Sequence, residues 1–252
     1  MDRGTYVAAS GGLFQIRRLD TVANNLANVS TTGYKKQLLT SQTKSFEETL
    51  AATAASSDPF AKGDQEQVTA VSHIDGRTDF SPGSVMETGN PLHVALRGMN
   101  QFFKINTTNG PRYTRAGEFT LAADGRIVTP DGSELAGDSG PIIVTGADAA
   151  ISASGQVTSG GLPVGFVQIF EVSDLQALNP EGTNRFTLKP GAQANPVQPD
   201  LITQSLEGAN VSVVSGMVEL IAAHRGFEAY TKMAQSIDQL NSDAITQLSR
   251  VR

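Results

Sequence analysis

The sequence predicts an α+β fold: long N- and C-terminal helices pairing as a coiled coil, with a central antiparallel β-rich domain between them. Three observations carry this expectation. Apolar residues recur at helical spacing near both ends. Residues 210–252 contain no proline. The stretch between is punctuated by glycine turns and short apolar runs. The domains expected are 1–36, an N-terminal core helix with a turn; 37–76, a linker or extension; 77–209, a β-rich outer domain; and 210–252, a C-terminal core helix. Helix, β-rich body, helix is an order that suits a building block for an assembly better than an enzyme.

In the first segment Ala9, Gly12, Ile16, Leu19, Ala23 and Leu26 follow alternating spacings of three and four. That is a coiled-coil seam, with small residues that permit close approach. Leu13 and Val22 widen the stripe. Asn28 to Gly33 holds helix stop signals, polar residues followed by a glycine suited to positive φ. Ser41 to Lys62 is rich in alanine, serine and threonine, with Phe46 and Phe60 as aromatic anchors. It reads as a linker that orders on assembly, or as an amphipathic helix over Phe46 to Ala55.

From Arg77 the rhythm becomes that of strands. Candidates are Leu92–Leu96, Gln101–Asn106, Arg112–Thr114, Glu118–Leu121, Arg126–Val128, Ile142–Thr145, Val164–Glu171 and Arg185–Leu188. Asn109-Gly110, Asp124-Gly125 and Asp131-Gly132 are hairpin turns. Short alternating strands predict an antiparallel, partly open barrel or sandwich. The body from about Arg77 to Ser205 is expected to hold its own core and to fold without the ends.

The last segment carries one seam through Val213, Gly216, Leu220, Ala223, Phe227, Tyr230, Ala234, Ile237, Ala244 and Leu248. Asn241 interrupts it, a polar residue of the kind that fixes register. A second stripe runs through Met217, Ile221, Met233 and Leu240. A helix of roughly 40 residues is about 60 Å long. A body of this size cannot cover two such stripes, so part of the helix should meet another chain.

Composition narrows the function. The chain has 252 residues, a net charge of −6 and no cysteine. It is long enough to bury a core without staples. Disulfides and thiol catalysis are excluded. Mild acidity argues against nucleic acid, and no run of about 18 apolar residues predicts insertion into a membrane. Met1 to Phe14 lacks a basic start followed by an apolar core, so no cleavable signal peptide is expected. The histidines are His73, His93 and His224, and none sits in a metal-ligand spacing. Gly160-Gly161 and Gly165 lack the spacing and lysine of a phosphate loop. Glu47-Glu48 reads as solvated. The expectation is no catalytic, cofactor-binding or metal residue, no cofactor, and no enzyme.

Three motifs carry a resemblance. Leu19 to Lys36, with Asn24-Asn25-Leu26-Ala27-Asn28 and Thr31-Thr32-Gly33-Tyr34-Lys35, resembles the N-terminal signature of bacterial flagellar rod and hook proteins. Gly83 to Gly117 resembles the middle of that family, through Thr88-Gly89-Asn90-Pro91-Leu92, Ala95-Leu96-Arg97-Gly98, Phe102-Phe103 and Tyr113-Thr114-Arg115-Ala116-Gly117. Met217 to Lys232, with Arg225-Gly226-Phe227-Glu228-Ala229-Tyr230, resembles its C-terminal helix. His93 departs from the pattern where an acidic residue is expected, and Met99-Asn100 replaces a more glycine-rich turn. The opening Met1-Asp2-Arg3-Gly4-Thr5-Tyr6 is similar to the proximal-rod branch. Thr40 to Gly63 does not resemble the proline- and glycine-containing insertion of the distal-rod branch, which is the alternative.

The resemblance implies a structural subunit that leaves through the flagellar export apparatus without a cleavable signal. It implies helical stacking into a hollow axle of the basal body, spanning the periplasm, with terminal helices inside and the β-rich body outside. That axle transmits torque and passes exported subunits. Implied partners are other copies of the chain, other rod proteins including the distal rod as axial neighbours, and the export apparatus, but not nucleic acid. The assembly residues expected are Ile16, Leu19, Ala23, Asn24, Asn25, Leu26, Asn28 and Gly33, then Leu220, Ala223, Phe227, Tyr230, Ala234 and Ile237. From another class, the alternative is a cell-wall-acting enzyme or wall-binding module with helical ends.

Overall fold

A computed structural model describes residues 3–45, 69–146 and 148–250. The helix considered over Phe46 to Ala55 lies outside them. The fold is α+β, with a β-rich centre between helix α1 (Arg3–Ala27) and helix α2 (Val213–Arg250). Among the described residues no helix is long and apolar enough to cross a membrane.

The chain divides into two compact units. One contains Met1–Leu26, Gln37–Arg77 and Val213–Arg252; the other contains Ala27–Lys36 and Thr78–Ser212. The first unit holds most of α1, all of α2 and, but for Thr78, a two-stranded ladder of Gln37–Ser45 with Thr69–Thr78. Ser41–Ser45, read as the start of a linker, is therefore strand.

In the second unit the central strand is Gln101–Thr107. It pairs on one side with Gly110–Thr114, placing Phe103 opposite Thr114 and Ile105 opposite Arg112. Its other edge is shared by Ile169–Val172, with Phe170 opposite Phe102, and by Glu134–Gly137. Every ladder resolved in this unit is antiparallel. Successive side chains of a strand point to opposite faces, so Phe102 and Phe103 enter different cores. Phe102 packs edge-on with Phe80 and Phe186 in an aromatic cluster that includes Tyr113 and Phe170. Phe103 packs edge-on with Phe119 among Val94, Ile127, Leu135, Ile169 and Leu201. Both faces of the strand are thus sealed.

The three expected turns are present, with Gly110, Gly125 and Gly132 at positive φ. Arg185–Leu188 is a strand as expected. Val164–Glu171 is not one strand but parts of two, Leu162–Phe166 and Ile169–Val172, in different sheets. The break falls where the Val167 and Gln168 amides leave the ladder and donate to the Gly155 and Ala136 carbonyls. Ile142–Thr145 forms no ladder: Ile142 and Val144 are buried, while Ile143 makes a lone bridge to Arg126. Periodicity read the burial there correctly and the pairing incorrectly. Val85–Glu87 with Ser205–Glu207, and Val94–Leu96 with Leu201–Thr203, are two-stranded ladders joining distant parts of the chain.

Candidate functional site

Within the first unit, α1 and α2 touch at points that run in opposite directions along the two helices. A Cβ on Gly4 would stand 3.2 Å from Ile237 Cδ1, one on Gly226 would stand 2.9 Å from Gln15 Cδ, and one on Gly216 would stand 3.5 Å from Leu26 Cδ1. A Cβ on Gly11 would run into the Tyr230 ring. On α2 most of the expected seam is sheltered: Gly216 and Ala223 are buried, and Leu220, Phe227, Tyr230, Ala234 and Ile237 are half-buried, but Val213 and Asn241 are exposed, and Glu219 and Gly226 are half-buried as well. Met217, Ile221, Met233 and Leu240, the second stripe, are each at least half exposed. The side chains of Ala244 and Leu248 lie outside the described residues.

On α1 the sheltered stripe is rotated by one residue from the expected seam. Gly4, Ala8, Gly11, Gln15, Val22 and Asn25 face inward, with Ala8, Gly11, Val22 and Asn25 buried. Of the expected residues Gly12 is buried and Leu19 and Leu26 are half-buried, but Ala9, Ile16 and Ala23 are exposed. The reason is bulk. Opposite Tyr230 and Ile237 only the smallest α1 residues leave room, so the glycines turn inward and Leu13 and Ile16 turn out. Gln15 Oε1 is buried there with no hydrogen-bond partner among the described residues.

The asparagines of the signature have separate tasks. Asn25 donates from Nδ2 to the Gln37 carbonyl and accepts from the Gln37 amide, both at 2.8 Å. Its side-chain amide imitates a strand neighbour and pins the chain that follows α1. Asn28 accepts from Thr31 Oγ1 and, through its carbonyl, from the Thr31 amide. Asn24 is exposed.

Ala27–Lys36 is part of the β-rich unit. Gly33 has φ +66° and its amide donates to the Glu207 carbonyl at 2.8 Å. A Cβ there would overlap the Arg115–Ala116 backbone, so glycine is required both by conformation and by space. Tyr34 is buried, and burial pushes its phenol up against an opposing hydrogen bond from Asn28. Lys35 follows with its side chain fully buried. Lys35 Nζ donates to Glu207 Oε1 at 2.6 Å and to the Ser81 carbonyl at 2.7 Å. Arg115 Nε reaches Glu207 Oε2 at 2.7 Å, and its Nη1 donates to the carbonyls of Gly98, Met99 and Gln101. The Gly83 amide completes the carboxylate at 3.0 Å. Side-chain exposures of Lys35, Arg115 and Glu207 are 0%, 1% and 2%.

Burial lowers the Lys35 affinity for its proton, only partly offset by Glu207. For Glu207 burial acts upward, but the charges of Arg115 and Lys35, their hydrogen bonds and the Gly83 amide outweigh it and hold the carboxyl low. Asn210 ties in the chain just before α2: its Oδ1 accepts from the Lys36 amide, and its Nδ2 donates to the Asp79 and Ser81 carbonyls. Lys35, Arg115, Glu207 and Asn210 were not expected from sequence. Lys35 and Arg115 lie inside the family-like motifs, but nothing local pairs residue 35 with residue 207. Both clusters of buried apolar residues lie between Arg77 and Ser205, as expected of a body with its own core. A fragment from Arg77 to Ser205 lacks Lys35 and Glu207 and leaves Arg115 buried without its carboxylate.

A polar cleft of about 310 Å³ adjoins this strip, lined in part by Thr31, Thr32, Glu118, Asp131, Asn184 and Arg185. Asp131, despite partial burial, is held low by Thr129, Ser133 and Arg185, the last at 2.6 Å. Glu118 accepts from Thr32 Oγ1. The Asp131 carboxyl, held low in this way, is a poor general acid. His93 hydrogen-bonds with Thr88 and Asn90. His224 is an exposed neighbour of Glu228 one helical turn on. The His73 side chain lies outside the described residues.

Comparison with known proteins matches three regions in order along the chain. Residues 6–35 match "Flagella basal body rod protein", 95–159 match "Flagellar hook protein FlgE/F/G D1 domain", and 202–248 match "Flagellar basal body rod FlgEFG protein C-terminal". The chain is 31% identical over 255 residues to the flagellar basal-body rod protein FlgF of Caulobacter vibrioides, covering 100% of both chains. It is 33% identical over 261 residues to FlgG of Agrobacterium fabrum, covering 95% of this chain and 97% of that one. It is 28% identical to FlgF of Escherichia coli K12, over 94% of this chain and 95% of that one. With both terminal helices, the signature strip and the β-rich centre all matched, the chain belongs to the flagellar basal-body rod protein family.

Proposed function

We propose that this chain is a structural subunit of the bacterial flagellar basal-body rod, of the proximal kind, stacked helically into a hollow shaft that carries torque and passes exported subunits. The carrying observation is the end-to-end alignment with a protein named as a rod protein. That alignment needs 255 positions for 252 residues, whereas the FlgG alignment needs 261 positions and leaves part of this chain unmatched. Few gaps favour the proximal reading. The higher identity to FlgG favours the distal one, which is the second reading.

In this account α1 and α2 pair as an antiparallel coiled coil, supported by glycine contacts that advance in step along both helices. Leu19, Leu26, Leu220, Ala223, Phe227, Tyr230, Ala234 and Ile237 hold that pair. Ile16 and Ala23 join Tyr6 and Leu13 on an outer face for neighbouring subunits, as do Met217 and Ile221 on α2. The partners are further copies, other rod proteins and the export apparatus, and the place is the periplasm-spanning rod. The names of the relatives, and an Asp131 carboxyl held low by Thr129, Ser133 and Arg185, support a structural role over a wall-acting enzyme.

The test is to place a small tag on the chain, purify basal bodies and locate the tag by electron microscopy. Label at the membrane-proximal rod supports the proposal. Label farther out supports the distal reading, and label absent from purified rods rejects both.

A further inference from the structure

The Lys35–Glu207–Arg115 cluster draws three remote pieces of chain to one carboxylate. Glu207 is 172 residues from Lys35, 92 from Arg115 and 124 from Gly83. The backbone of the same residue accepts from Gly33. Asn210, just beyond, repeats the arrangement with Lys36, Asp79 and Ser81. No two pieces complete the cluster. Without residues 205–210, closing the unit buries two cations against each other with no anion. Without the signature strip, the carboxylate loses a donor and the Arg115 region loses the chain that covers it. A buried ion left without its partner is strongly unfavourable, so partly assembled forms are worse than open ones.

We propose that this cluster is a completion latch: the β-rich unit closes only when its first strip and the segment around Glu207 are both in place, leaving no stable half-closed form. The core strand Gln101–Thr107 is tied to the latch directly, because Arg115 holds the carbonyls of Gly98, Met99 and Gln101 with the guanidinium that binds Glu207. The latch carboxylate lies only a few residues before α2, so a chain delivered from its N-terminus stays open until everything up to the start of α2 has arrived. That use in export rests on the rod reading above; the latch itself does not.

Native-state hydrogen exchange on the full chain, read in rising low denaturant, tests it. The amides of Gly33 and its neighbours and those of Gln101–Thr107 are expected to exchange through one common opening, within about threefold of each other and with the same denaturant dependence. Exchange at the strip about 100-fold faster than at the core strand, with a shallower dependence, overturns the latch. A second measurement uses Lys35→Met, Arg115→Met and Glu207→Leu together, which removes the need for charge pairing. The strip should then exchange at least about tenfold faster than the core strand. Common opening that persists in this variant overturns the charge cluster as the cause.

Discussion

Glu207 binds Lys35, Arg115 and the Gly83 amide through its carboxylate and the Gly33 amide through its backbone. Removing one member of a buried ion cluster leaves the others uncompensated, so Glu207→Ala should destabilise the unit by about 3–5 kcal/mol in urea melts of the full chain. The same carboxyl sets an acid limb. Its folded value is depressed, so its contribution is present above the unfolded value of 4.5 and is lost as pH falls through the lower folded value. Stability should be flat through mildly acid pH and fall below that point, and the Glu207→Gln protein should show a weaker fall. Gly33 makes the second prediction at this scale. Its positive φ and the Ala116 backbone act together, so even Gly33→Ala should cost about 2 kcal/mol or more, and Gly33→Val more again. Equal melting of wild type and Gly33→Ala would show that the strip is not seated as described.

The two helices show what periodicity can and cannot read. The α2 seam was legible because its large residues, Leu220, Phe227, Tyr230 and Ile237, recur on one side. On α1 two stripes compete at almost the same spacing, and periodicity favours the more apolar one. The structure turns the smaller one inward, because packing is decided by the partner's volume and not by hydrophobicity alone. Two adjacent glycines separate these readings. A Cβ on Gly11 meets the Tyr230 ring, whereas one on Gly12 stands 3.8 Å from Tyr230 Cβ, an ordinary contact. Gly11→Ala should therefore disturb the helix pair. Gly12→Ala should be tolerated, or should gain up to about 1 kcal/mol in helix propensity. Thermal melts followed by helical circular dichroism distinguish the two, and the reverse order would restore the seam through Gly12 and Ile16. In the body, turns and short strands were legible from Asn-Gly and Asp-Gly pairs and from alternation. The ladders joining 85–87 to 205–207 and 94–96 to 201–203 were not, because pairing between distant segments leaves no local pattern. The buried cluster was hidden for the same reason: a lone lysine in a motif reads as solvated until residue 207 is placed beside it.

At the scale of the molecule, the two units differ in how they are covered. The β-rich unit has two internal cores and a saturated charge cluster. The helices carry Leu13, Met217, Ile221 and Leu240 in the open, and helices without tertiary cover are marginal in water. In a verified monomer the amides of α1 and α2 should exchange at least about 100-fold faster than those of Gln101–Thr107. Equal protection would show that the helices need no partner. The central claim is that these outer faces are interfaces within a rod. A cryo-microscopy map of purified basal bodies, at a resolution that shows side chains, tests it most directly. The account predicts this chain in the rod wall, with α1 and α2 antiparallel and Tyr6, Leu13, Met217 and Ile221 covered by neighbouring subunits. A rod in which this chain is present but those side chains still face solvent, or from which the chain is missing, would contradict it.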